Sequence, residues 1–205
     1  MSGVQPKVFR STAGRVVAWV WLVFAAVNLV DVAVRGHDLA GMIAAAVLLL
    51  GSGTAYVFGL RPRIVADDSG ISLHNPLRDV RVPWPAVQRI EAAESVRVHY
   101  EAEGGEERRA GAWAVQTSPR ARARVQRRAH GRSRGATHDA VAEYARNRTP
   151  ADYVAEQLTE LAATRRRTDT ASGAGPSVTW SMPAVAAVAA PAALLASLIL
   201  VAVLT

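Results

Sequence analysis

The sequence predicts an α+β membrane protein with three transmembrane helices, a small antiparallel β domain and an amphipathic helix. Three observations predict it. Apolar residues gather into three long runs, the stretch after the second run alternates with period two, and most of the arginines lie between the second and third runs.

The runs come first. Val16 to Val34 is broken only by Asn28 and Asp31, whereas Leu39 to Leu60 and Ala184 to Thr205 carry no charge at all. A helix rises about 1.5 Å per residue, so roughly 20 residues cross a hydrocarbon core of about 30 Å. The second and third runs meet that length outright, and the first meets it with Asp31 at the interface. A secretory signal is the competing reading of the first run, because Lys7, Arg10 and Arg15 precede it. Its apolar stretch exceeds the roughly 7–15 residues of a signal, and no clean A-x-A site follows. The third run, Ala-rich and containing Pro191, could instead be a buried soluble helix. The remaining sequence is too small to surround it, and membrane helices tolerate proline.

Charge orients the spans. The first fifteen residues hold three basic side chains and no acid, and the connection "RGHD" holds only Arg35 against Asp38. The other 20 basic residues lie between Arg61 and Arg167, and nothing charged follows the third run. The positive-inside rule therefore places the N-terminus and the central region in the cytoplasm and the C-terminus outside a multi-pass cell membrane protein.

From Arg61 to Val115 short alternating runs are separated by turn residues. Ile71 and Leu73 alternate with Ser72 and His74, Val80 and Val82 with Asp79 and Arg81, and Val96, Val98 and Tyr100 with Arg97, His99 and Glu101. Each set directs aliphatic or aromatic groups to one face and polar groups to the other, as a sheet with one solvated side requires. "DDSG" at 67–70 and "NPLR" at 75–78 are turn chemistry, and "EGGE" at 103–106 predicts a two-residue Gly-Gly hairpin. The expectation is a meander of about six strands, with Trp84 and Val87 in its core and His74 and His99 solvated on its polar face.

Thr117 to Arg148 differs, with nine arginines and few large apolar residues. It reads as a solvated linker or a fraying basic helix. In "TPADYVAEQLTELAATRRR", Thr149 is a candidate N-cap, Pro150 suits the first helical position and Asp152 the first turn. Tyr153, Val154, Leu158 and Leu161 recur at helical spacing. "TASGAGPS" reads as a hinge. The chain thus divides into a basic cytoplasmic N-terminus (1–15), transmembrane helices at 16–34 and 39–60, a β domain at 61–115, a basic linker at 116–148, an amphipathic helix at 149–167, a hinge at 168–183 and a third transmembrane helix at 184–204.

The stretch "RPRIVADDSGISLHNPLRDVRVPWPAVQRIEA" resembles the bacterial pleckstrin-homology-like (PH-like) domains of small actinobacterial membrane proteins, of the low-molecular-weight protein antigen type. "GISLHNPLR", "VPW" at 82–84, Val87, Ile90 and "AGAWAV" at 110–115 carry the likeness. It implies a small sandwich or barrel of antiparallel strands, usually closed by a C-terminal helix. The candidate helix here begins over thirty residues after the last strand. Either the basic stretch is an insertion before the closing helix, or the helix packs elsewhere. PH domains that bind inositol phosphates place basic side chains around the first hairpin. The corresponding turn here carries Asp67 and Asp68, which argues against that ligand.

Little in the sequence carries chemistry. The histidines at 37, 74, 99, 130 and 138 show no metal-ligand spacing, there is no cysteine, and neither a G-x-S-x-G elbow nor a Walker lysine is present. No catalytic residue, metal or cofactor is expected. Asp31 is the single acid within a span, and interfacial solvation accounts for it. The function expected is a non-enzymatic adaptor, whose PH-like domain meets a protein partner or self-associates at the membrane. The alternatives are an anionic-lipid sensor and a small transport component, the latter disfavoured by the scarcity of polar groups in the spans. The lipid reading rests on Arg120, Arg122, Arg124, Arg127, Arg128, Arg132 and Arg134, which have no neighbouring acids and would find counterions in anionic headgroups. Nucleic acid is disfavoured by the tethering at the membrane.

Overall fold

The computed structural model describes residues 6–36, 38–102, 104–116, 149–165 and 175–204. In chain order the elements are β1 (Lys7–Arg10), α1 (Thr12–Arg35), α2 (Leu39–Ala55) with a π-helical turn (Tyr56–Leu60), β2 (Arg63–Ala66), β3 (Gly70–His74), β4 (Arg78–Pro83), β5 (Val87–Ala92), β6 (Ser95–Glu101), β7 (Glu107–Gln116), α3 (Pro150–Arg165), β8 (Ser177–Trp180) and α4 (Met182–Leu204). They divide into two compact units. A helical unit takes Ser11–Pro62, Asn75–Asp79 and the chain from Thr179. A β unit takes the chain up to Arg10 together with Arg63–His74 and Val80–Val178.

The helical unit holds three helices long and apolar enough to cross a membrane, Thr12–Arg35, Leu39–Leu60 and Met182–Leu204, with mean hydropathies of 2.1, 1.9 and 2.6. α1 starts at Thr12, ahead of the apolar run, because the Ser11 hydroxyl accepts the Gly14 N–H at 3.3 Å. Asp38 caps α2 in the same way, accepting from the Gly41 N–H at 2.8 Å. Every buried residue of these helices is small or β-branched: Ala18, Ala25, Ala46, Val57 and Ala184. That composition fits association in lipid, where helices gain nothing from the hydrophobic effect and must pack backbone to backbone. Gly51, Gly53 and Gly59 mark close approaches, with a Cβ on Gly51 meeting the Trp21 ring at 2.3 Å. A Cβ on Gly53 would lie 1.9 Å from the Ala187 carbonyl oxygen, and one on Gly59 2.5 Å from the Ala18 methyl. Pro191 lies inside α4, which continues through it. Asp31 pairs with Arg35 one turn on, at 3.1 Å.

The β unit is built from two sheets. Strands run in the order β1-β2-β3-β4-β8 in one and β5-β6-β7 in the other. Alternation buries Ile64, Ile71, Leu73, Val82, Val87, Val96 and Val98 between them, around a fully buried Trp84. α3 closes this core with Ala151, Val154, Leu158 and Ala162, packing on β5, β6 and β7. A capping box starts it: the Thr149 hydroxyl accepts from the Asp152 N–H at 3.2 Å, and the Asp152 carboxylate accepts from the Thr149 N–H at 2.8 Å. The question left open by sequence is answered: the amphipathic helix closes the β domain.

Three local readings change. The basic N-terminal segment at 1–15 contains β1, which pairs antiparallel with β2 so that Arg10 faces Arg63. The α1–α2 hairpin is therefore an insertion between two neighbouring strands. The hinge expected at 168–183 contains β8 and the start of α4. The "EGGE" turn closes one residue wider than expected, with the Ala102 N–H donating to Glu106 O at 2.9 Å and the Gly105 N–H to Ala102 O at 3.1 Å. Gly104 and Gly105 sit at φ of 113° and 80°, a region that L side chains rarely adopt.

Candidate functional site

The first hairpin of the β unit is where a phosphate-binding PH domain would gather cations, and here its acids are consumed internally. Asp67 accepts from the Ser69 and Gly70 N–H groups at 2.9 and 3.1 Å, an Asx turn that shapes the loop. The Arg81 guanidinium reaches across from β4 to both carboxylate oxygens of Asp67, at 2.7 and 2.8 Å. Burial works to raise the Asp67 pKa, but hydrogen bonds from Arg81 and Ser69, with the arginine charge, outweigh it and hold the carboxyl below its ordinary value. Asp68 takes Arg165 of α3 at 2.6 Å. The indole N–H of Trp84 donates to the Asp67 carbonyl at 2.9 Å from within the core. The loop is a structural clasp, and Trp84 is a core residue, as the sequence predicts.

The outward face of β5–β7 is different. His99 is expected to be solvated, yet its side chain is only 12% exposed. Its two ring nitrogens lie 2.9 Å from Glu107 and 3.1 Å from Glu91, on the strands to either side. Direct cross-strand pairing places Arg109 opposite His99 and Gly111 opposite Arg97. Beyond them on β7, Trp113 is 47% exposed. Ala110, Ala112 and Ala114 face the core, so the alternation turns Trp113 outward. β7 also changes register here, with Val96 facing Ala112 but Ser95 facing Gln116. A bulge of this kind re-aims side chains at a sheet edge. In the sequence "AGAWAV" carries only the likeness of a domain end. The signal was available, since three alanines at period two leave the tryptophan on the opposite face.

The turn between β3 and β4 belongs to the helical unit. Arg61, directly after α2, donates from Nη2 to both oxygens of Asp79 at 2.7 and 2.6 Å, and from Nη1 to the carbonyls of Asn75 and Pro76. The Ser181 N–H donates to Leu77 O at 2.9 Å. Arg78 lies over the Trp180 ring, 4.2 Å from its centroid, a cation–π contact ahead of α4.

His74 is partly buried on β3. Among the described residues no group of three or more His, Cys, Asp or Glu side chains could hold a metal ion. Arg120, Arg122, Arg124, Arg127, Arg128, Arg132 and Arg134 lie outside the described residues.

Compared with known protein families, residues 61–132 match the bacterial PH domain. The match covers β2 to β7 and runs on past the last of these strands. No curated protein and no solved structure matches the chain.

Proposed function

We propose that this protein is a non-enzymatic integral membrane adaptor, in which the bacterial PH domain presents the outward face of β5–β7 to a protein partner or to a second copy. PH-like domains are typically non-catalytic interaction modules, and three apolar helices that fit a membrane protein flank this one in the chain. Trp113 carries the reading. A half-exposed tryptophan on a face that also carries Arg97 and Arg109 combines the aromatic and arginine side chains in which protein interfaces are enriched. On the arginine distribution, the N-terminus and the PH domain lie in the cytoplasm and the C-terminus outside. The narrower likeness to the actinobacterial antigen-type proteins rests on "GISLHNPLR" and "VPW" and is part of this proposal.

A photo-crosslinking residue in place of Trp113, in native membranes, should give a discrete protein adduct that the same residue at Arg108 does not. An adduct with lipid alone at Trp113 would replace the adaptor with the second reading, an anionic-lipid sensor. That reading draws on the seven arginines from Arg120 to Arg134, which have no acid among them. A transport role has less support. Asn28, Ser52, Thr54 and Ser197 each donate to a carbonyl of their own helix, which satisfies them without a path to line.

A further inference from the structure

We infer that Arg10 and Arg63, at the adjoining ends of β1 and β2, form a binding site for the phosphate of an anionic lipid headgroup. The two arginines are direct cross-strand partners, and His74 continues the row as the partner of Arg63 on β3. Arg63 lies on the face opposite the buried Ile64, and Arg10, paired with it, shares that face. Like charges set directly opposite each other destabilise a strand pair. Acids do not relieve this one: among the described residues neither arginine has an ion pair, and Asp67 and Asp79 are held by Arg81 and Arg61. The Nε–H of Arg63 is also out of solvent contact and has no hydrogen-bond acceptor. A buried donor left unsatisfied is costly. The terminal nitrogens of a juxtaposed arginine pair without counter-ions offer a fork to an oxyanion, and phosphate matches guanidinium geometry.

Chain connectivity says where that oxyanion comes from. Arg10 is two residues before α1, and Arg63 is three residues after the π-helical turn that ends α2. At about 3.8 Å per residue, the two Cα atoms lie within about 8 and 11 Å of a helix end. The headgroup layer outside the hydrocarbon core is roughly 5–8 Å deep on each side, so the row lies at headgroup depth or just beyond. Long arginine side chains reach back to such a layer with their charged ends in it. The anion concentrated there is lipid phosphate. The inference goes beyond the adaptor reading and rests only on the apolar helices being embedded in a bilayer.

The test is native mass spectrometry on the full chain in a neutral detergent, titrated with phosphatidylglycerol and with phosphatidylcholine. The wild-type chain should retain phosphatidylglycerol selectively. Arg10→Gln with Arg63→Gln should weaken that retention about 30-fold, the value of two basic residues at about 1 kcal/mol each. Arg97→Gln with Arg109→Gln removes the same charge from β6 and β7 and should leave it unchanged. Glutamine at the seven arginines from Arg120 to Arg134 should leave a phosphatidylglycerol preference that still depends on Arg10 and Arg63. If the double variant does not fold, Arg10→Gln alone, on the exposed edge strand, should still cost about fivefold. An equal loss from the β6 and β7 pair, or no loss from Arg10→Gln, overturns the site. Saturation by inorganic phosphate with no preference for the lipid overturns the lipid assignment. Neither result depends on whether Trp113 captures a protein, so the adaptor and the headgroup site fail separately.

Discussion

Arg61 Nη2 lies 2.7 and 2.6 Å from the two carboxylate oxygens of Asp79, while its Nη1 serves the carbonyls of Asn75 and Pro76. One guanidinium thus organises the whole Asn75–Asp79 turn from the end of α2. The arginine side chain is 10% exposed and that of Asp79 32%, so the pair is partly withdrawn from water. Removing one partner of such a pair leaves a charge and carbonyls without compensation, which costs about 3–5 kcal/mol when burial is complete. Arg61→Ala should therefore lower the thermal midpoint of the full chain in detergent markedly. The double variant with Asp79→Ala should lose less than the sum of the two singles. Additive losses would mean that the contact contributes nothing of its own.

Trp84 fills the core and donates its N–H to the Asp67 carbonyl. Trp84→Ala should destabilise the β unit by about 3–5 kcal/mol. Trp84→Phe keeps much of the ring volume and should lose about 1–2 kcal/mol, mainly the hydrogen bond. Denaturant unfolding monitored by circular dichroism separates the two. Unchanged unfolding of Trp84→Ala, with loss of partner capture, would move Trp84 from the core to the binding surface.

His99 bridges Glu91 and Glu107 across three strands. His99→Ala should cost about 1 kcal/mol or somewhat more, because it also leaves two carboxylates facing a common gap. A double-mutant cycle with Glu107→Gln should show coupling. A neutral His99→Ala would return this histidine to the solvated surface role its strand position suggested.

The Asp67 carboxyl is held below its ordinary value, which in an unfolded chain is about 3.9. A depressed folded-state pKa contributes stability that is present above the unfolded value and is lost as pH falls through the folded value. Unfolding of the β unit should therefore become easier as pH drops below about 4. Arg81→Gln should shrink that acid limb by removing the main partner of Asp67. An acid limb of unchanged size in Arg81→Gln would assign it to other carboxylates.

Reporter fusions at Gly104 and at the C-terminus should read opposite sides of the membrane, because one apolar helix, α4, separates the β domain from the C-terminus. The same side for both would exclude the three-span arrangement.

Features that repeat along the chain were legible without a structure. The three apolar helices follow from run length, β2 to β7 from period-two alternation, and α3 from Thr149, Pro150 and the spacing of Val154 and Leu158. Each is encoded within a few turns or a few strand residues, where hydropathy and capping chemistry act locally. β1 was not legible. "KVFR" is four residues long, too short for a periodic signal, and its partner Arg63–Ala66 lies beyond two membrane-length helices.

The candidate sites divide on the same line. The outward aim of Trp113 is implied by the alanines on either side of it, so the sequence contains it. Sequence by itself determined that three apolar helices frame a small β domain and that its first hairpin carries two acids. Only the tertiary structure decided what those charges do. Asp67 meets Arg81, Asp68 meets Arg165, Asp79 meets Arg61, and Arg10 meets another arginine instead of an acid. Hydropathy is a property of each residue, summed along the chain. Charge compensation depends on which residues the fold brings within about 3 Å, and no periodicity records that.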